Sequence, residues 1–186
     1  PIVLPYTPTS FSFANVFQYG STVSTGSEIY IGNNKNANSG FSNAYIRFNL
    51  NSGFSDQYTL LSGELTYTRE NHAAWLTGVG HKVYVVDPNF NPQTVTYETR
   101  PEEFDMIGEE NTTFVFGAKA TFNYTFDLQY IEDNQIAFGF VPPSDLRSGN
   151  YTTLFLADTQ KPSLLLYYKR LMGIESSYKM ESFDLE

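Results

Sequence analysis

Trp75 is the only tryptophan in the chain, and it sits in "ENHAAWLTGVGHK", with His72 before it and His81 and Lys82 after it. An indole offers an apolar face to the C–H groups of a sugar ring and keeps an N–H to donate. The stretch therefore reads as a saccharide contact, or more plainly as a tryptophan that plugs the end of a core. His72 and His81 could share a metal only if the loop folds back on itself, and zinc would still need a third strong ligand. A second polar loop, "IGNNKNANSGFSNAYIRF", carries Asn33, Asn34 and Asn36. Their amides can hydrogen-bond sugar hydroxyls or satisfy the loop's own backbone.

Asp87, Asn89 and Asn91 alternate within "VYVVDPNFNPQTVTYETRP" as the first ligands of a calcium loop do. Calcium takes about six to eight oxygens, with a bidentate carboxylate further on. Here Pro92 follows, no glycine sits mid-loop, and no glutamate falls at the required spacing. The competing reading is a set of Asx turns. The next stretch, "PEEFDMIGEE", holds Glu102, Glu103, Asp105, Glu109 and Glu110. Paired carboxylates hydrolyse glycosides, but a run of like charge is ordinarily a solvated loop. Weak surface binding of Ca2+ is the other role it suggests, and Ca2+ is the only cofactor the sequence brings forward.

Catalysis has little support. The chain has no cysteine, and it lacks the GxSxG, HExxH and phosphate-loop motifs. No residue is assigned a catalytic role. Three sequons begin at Asn111, Asn123 and Asn150, each placed where a glycan would spare the core, which favours an extracellular or cell-surface chain.

The elements that must position these residues are strands. Of 186 residues, 14 are Tyr and 16 are Phe, a composition that suits pleated sheets joined by turns. Strand-like runs cover Ser12–Tyr19, Ser27–Gly32, Ala44–Leu50, Leu60–Thr68, His81–Val86, Thr94–Tyr97, Thr113–Phe116, Thr121–Leu128, Gln135–Val141, Tyr151–Leu156 and Ser163–Tyr168. In "TFNYTFDL", Phe122, Tyr124, Phe126 and Leu128 share one face, and Thr121, Asn123, Thr125 and Asp127 the other. Ile131–Asn134 and Ser144–Arg147 are expected to form single helical turns at most. The fold class expected is all-β, an antiparallel β-sandwich, in one domain over residues 1–170 with a tail or linker over 171–186. A domain of this size buries roughly 70% of its unfolded surface and needs no disulfide.

The formal net charge of −9 excludes nucleic acid as an expected partner, since that binding rests on Lys and Arg replacing counterions. No apolar run approaches the ~20 residues of a membrane helix, so membrane insertion is not expected. Pro1 in place of Met reads as a mature or trimmed chain.

The order of the pieces resembles the DNRLRE-type, or disaggregatase-related, domains, whose relatives include alginate-binding carbohydrate-binding modules. The residues that carry the resemblance are "SNAYIRFNL" with Tyr45, Arg47 and Phe48, "GELTYT" from Gly63 to Thr68, Val83 to Val86, "TYETRP" from Thr96 to Pro101, Phe126 to Leu128, and "KPSLLLYY" from Lys161 to Tyr168. Phe90, Pro92 and Tyr97 stand where that pattern has Trp, Glu and a second Trp. The resemblance implies a jelly-roll sandwich serving as an accessory module of extracellular enzymes or surface proteins. It assigns Arg47 to the fold and leaves Lys82, Arg69 and Arg100 as cations near the loops.

The function expected from all this is a non-catalytic extracellular module that binds a polysaccharide or glycan. Its contacts would be Trp75, His72, His81, Lys82 and the Asn33, Asn34 and Asn36 amides. The alternative is a structural subunit of a surface layer, sheath or filament. Its copies would join through Ile2–Tyr6 and Tyr178–Leu185, which are apolar enough to extend a neighbour's sheet.

Overall fold

The computed structural model describes residues 2–6, 11–26, 28–32, 40–50, 58–70, 80–111, 119–127, 134–143, 151–155 and 161–170. They form eleven strands and no helix. These are β1 (Ile2–Tyr6), β2 (Phe11–Phe17), β3 (Glu28–Gly32), β4 (Ser42–Asn49), β5 (Tyr58–Glu70), β6 (His81–Val86), β7 (Glu103–Glu110), β8 (Lys119–Asp127), β9 (Gln135–Val141), β10 (Tyr151–Phe155) and β11 (Ser163–Arg170). Every pairing is antiparallel.

Hydrogen bonds link the strands in the order β1-β11-β5-β10-β3-β4-β9-β6-β7, with β2 also on β4 and β8 also on β5. The path folds into two layers. One is β1-β11-β5-β8, and the other is β2-β4-β9-β6-β7. The short β3–β10 ribbon joins them, meeting β4 at Gly32–Ser42 and β5 at Thr153–Glu70 and Leu154–Arg69.

The sandwich follows from period-two patterning. In β9, "QIAFGFV", Ile136, Phe138 and Phe140 face inward and the small Ala137 and Gly139 face outward. Leu65 and Tyr67 from β5, Phe126 from β8, and Leu164 and Leu166 from β11 meet them from the facing layer. Phe126 meets Phe138 edge-on at 5.0 Å between centroids, and Tyr67 meets Phe140 at 4.9 Å. Each such side chain contributes roughly 1.5–3 kcal/mol by leaving water, which makes this layer-to-layer contact the main support of the fold. Phe122 and Tyr124 lie half-buried against the same core, while Thr121, Asn123, Thr125 and Asp127 face solvent.

Three expectations change. Thr94–Tyr97 is not a strand but part of the irregular β6–β7 loop, and its alternation arises because Val95 and Tyr97 both pack onto the outer face of the second layer. The acidic run is not a solvated loop: Glu103–Glu110 is strand β7, paired with β6. Ile2–Tyr6 is paired within its own chain, to β11 from Tyr168 back to Leu164. Thr113–Phe116, Ser144–Arg147 and the tail 171–186 lie outside the described residues, as does Ile131–Asn134 apart from Asn134.

Candidate functional site

The site begins with a tyrosine laid across a glycine. On the outer face of β4, Asn43, Tyr45 and Arg47 alternate with the core residues Ala44 and Ile46. Tyr45 is fully buried because β9 places Gly139 beneath its ring. A Cβ at Gly139 would stand 2.9 Å from the Tyr45 ring and 3.1 Å from Val86. The Tyr45 hydroxyl accepts a hydrogen bond from the Asn43 amide at 3.1 Å, and burial pushes its pKa up to about 12. It is therefore a neutral fixture and not a proton donor of ordinary strength.

The β6–β7 loop covers this tyrosine. Val95, Phe90 and Tyr97 pack over Ala14, Val16, Tyr45, Val86 and Ala137. The loop closes through the Asp87 N–H to Glu102 O at 2.9 Å. Arg47 holds it from below, donating to the carbonyls of Phe90 and, at 3.3 Å, Pro88, with its guanidinium 5.2 Å from the Phe90 centroid. Thr22 donates its hydroxyl to the Val95 carbonyl. Thr96 and Thr99 exchange bonds at the tip, the Thr96 N–H to Thr99 Oγ1 at 2.8 Å and the reverse at 3.2 Å.

The rim of this loop, the start of β4 and the end of β9 enclose a cleft of about 210 Å³. Phe41, Val141, Pro142 and Pro143 form its apolar side, and Asn43, Tyr97, Arg100 and Glu103 complete it. Gly40 sets Phe41 in place. Its φ of +66° is left-handed, and a side chain there would collide with Gln18, whose Oε1 lies 3.5 Å from the Phe41 N–H as acceptor. The Arg100 guanidinium sits over the Tyr97 ring, 4.2 Å from its centroid, and donates to the Tyr97 carbonyl at 2.6 Å. Burial raises the Tyr84 pKa, and the nearby negative charge of Glu103 adds to that rise. One face is thus apolar, and the mouth presents the Arg100 donor together with the exposed Glu103 acceptor.

Sequence reading found only part of this cleft. Arg100 is among the candidate cations, whereas Phe41, Pro142 and Pro143 carry no motif and Asn43 stands in one only as part of a strand. Glu103 was hidden in the acidic run. Lys82 is half-buried and lies in register with Val141 on one side and Glu109 on the other, next to the cleft. Trp75, His72, Asn33, Asn34, Asn36 and Asn150 lie outside the described residues. Asp87 Oδ1 accepts from the Asn89 N–H, and Asn91 Oδ1 from the Gln93 N–H, each at 2.9 Å, so both build Asx turns. Asn89 itself is exposed. Among the described residues, no three His, Cys, Asp or Glu side chains gather to hold a metal ion. Asn111 and Asn123 are exposed, their amides donating to Glu109 and Thr66, each at 2.8 Å.

His81, expected at a ligand surface, is instead fully buried. Its ring packs edge-on to Phe122 at 5.4 Å, and Tyr67 shares a hydrogen bond with its Nε2. Among the described residues its Nδ1 has no hydrogen-bond partner, and it lies 3.7 Å from Glu110, which pairs in two-pronged fashion with Arg69 at 2.6 and 3.1 Å. Burial pulls the His81 pKa down to about 4, outweighing the attraction of Glu110, so the imidazole is neutral near pH 7. This largely buried cluster ties β5, β6 and β7 together.

No protein-family model matches the chain, and no curated protein matches it in sequence. The fold and the cleft define an all-β, antiparallel sandwich with a surface site of mixed apolar and ionic character.

Proposed function

We propose that the protein is a non-catalytic, extracellular module of jelly-roll type that binds carbohydrate in the cleft between the β6–β7 loop and the ends of β4 and β9. The observation that carries this reading is the cleft's make-up, an apolar ledge of Phe41, Pro142 and Pro143 in one cleft with the charged Arg100 and Glu103. Sugars need an apolar surface for their C–H face and fixed polar groups for their hydroxyls. Glycoside hydrolysis ordinarily takes two carboxylates, and the described lining residues include one, Glu103.

The jelly-roll assignment rests on strand order. The layers β1-β11-β5-β8 and β4-β9-β6-β7, with β2, β3 and β10 as additions, support this reading, because a jelly roll of two nested Greek keys would run in that order. The resemblance to the DNRLRE-type domains agrees with this order, and the exposed sequon amides of Asn111 and Asn123 suit an extracellular address. The surface-assembly alternative is weaker, because β1, one of the segments it would lend to a neighbour, is already paired to β11.

The test is retardation of the full chain in native gels containing different polysaccharides, with and without EDTA, for wild type, Phe41→Ala, Arg100→Ala and Trp75→Ala. The expected result is retardation by at least one polymer, weakened about tenfold or more in the two cleft variants. Loss only in Trp75→Ala moves the site to the stretch around Trp75 in the sequence. Loss with EDTA adds Ca2+ to the reading, and no retardation by any polymer rejects it.

A further inference from the structure

Resting on that reading, we infer that the cleft selects neutral sugars bearing adjacent hydroxyls and discriminates against uronic acids, with Glu103 as the specificity-determining residue. A carboxylate only accepts hydrogen bonds, and a guanidinium only donates them. Glu103 and Arg100 line the same cleft, Glu103 exposed to the ligand's side and Arg100 held by the Tyr97 ring and carbonyl. Neighbouring hydroxyls on a pyranose donate and accept at once, so one can give its proton to Glu103 while its neighbour takes one from Arg100. Both protein groups stay satisfied when the ligand displaces water, which matters because a desolvated charge without a partner is costly.

A uronate changes the balance. Its carboxylate would be drawn to Arg100 but would stand in the same small cleft as Glu103, where like charges repel. The surroundings do not compensate. The loop and strands that build the cleft carry Arg47, Lys82 and Arg100 against Asp87, Glu98, Glu102, Glu103, Asp105, Glu109 and Glu110, and the whole chain has a net charge of −9. Selectivity here lies in a repulsive element as much as in an attractive one.

The experiment uses the full chain in affinity gels cast with glucan, mannan or galactan, and with the same polymers oxidised at C6 to uronates. Glu103→Gln is run beside wild type. Glu103 is exposed, so the variant should keep the wild-type thermal midpoint, which is checked first. The expected result is that wild type binds a neutral polymer at least tenfold more tightly than its oxidised form, and that Glu103→Gln narrows this ratio several-fold. Equal or tighter binding of the uronate form overturns the inference while leaving the binding module intact, and so does a ratio unmoved in Glu103→Gln. Retention of neither form across the set overturns both.

Discussion

Arg69 and Glu110 meet between the layers with side chains only 6% and 11% exposed. Such a pair adds little over apolar residues of like size, yet removing one partner strands a buried charge at a cost of roughly 3–5 kcal/mol. Arg69→Met should therefore lower the urea midpoint sharply, and Arg69→Met with Glu110→Leu should recover most of the loss. If the double variant is as unstable as the single one, the pair stabilises by more than mutual neutralisation. His81 beside it makes a separate prediction about pH. Its folded pKa of about 4 lies below the ordinary histidine value of 6.5, so the native state binds fewer protons than the unfolded one. The stability it contributes is whole above pH 6.5 and drains away as pH falls toward 4, to a total of roughly 3 kcal/mol. Glu110 and Arg69 face it from β7 and β5 with opposite charges, Tyr67 is neutral, and desolvation remains the largest cause. His81→Gln keeps a partner for Tyr67 but cannot titrate. Between pH 7 and 4 the wild type should lose about 3 kcal/mol more than this variant, and parallel curves for the two would refute the assignment.

At the scale of elements, the loop over Tyr45 is the part that sequence conveyed least. Strands with a clean period were legible: His81–Val86 and Gln135–Val141 begin and end where their alternation does. Strand β7 was not, because register shifts at Val83/Tyr84 and Val85/Val86 break the period of an already acidic edge. The cleft was illegible for a related reason. Its residues come from three separate stretches of the chain, and only the pairing of β4, β9, β6 and β7 brings them together. Arg47 is the residue on which the loop most depends, since its guanidinium reaches two loop carbonyls from inside the sheet face. Arg47→Met would leave those carbonyls short of a donor, at a cost of about 1–3 kcal/mol. Hydrogen exchange at the Asp87 and Val95 amides should quicken well before the β4–β9 ladder opens. Uniform protection across both would show that the apolar cover alone pins the loop. At Gly139 the opposite fault is expected: an added methyl presses on Tyr45 and Val86, and overpacking costs about 1–3 kcal/mol. Gly139→Ala should therefore lower the thermal midpoint and disturb the near-UV signal of the buried tyrosine.

For the whole molecule, the question is what happens at the ends of the strand path. β1 closes one layer, and its Pro5 lacks an N–H, which a strand bears most easily at an edge. Behind it, β11 carries Leu164, Leu166 and Tyr168, all buried. Removing Pro1–Tyr6 would turn β11 into an open edge with a strongly apolar inner face, the arrangement that invites pairing with another copy. The net charge of −9 opposes association of the intact chain. The intact chain should thus elute as a monomer by size exclusion with light scattering, and the truncated chain should be less stable and self-associate. The reverse outcome, an oligomer that falls apart when these residues are removed, would mean that β1 pairs between copies in solution. It would also shift the weight of argument from a monomeric sugar-binding module to a subunit of a surface assembly.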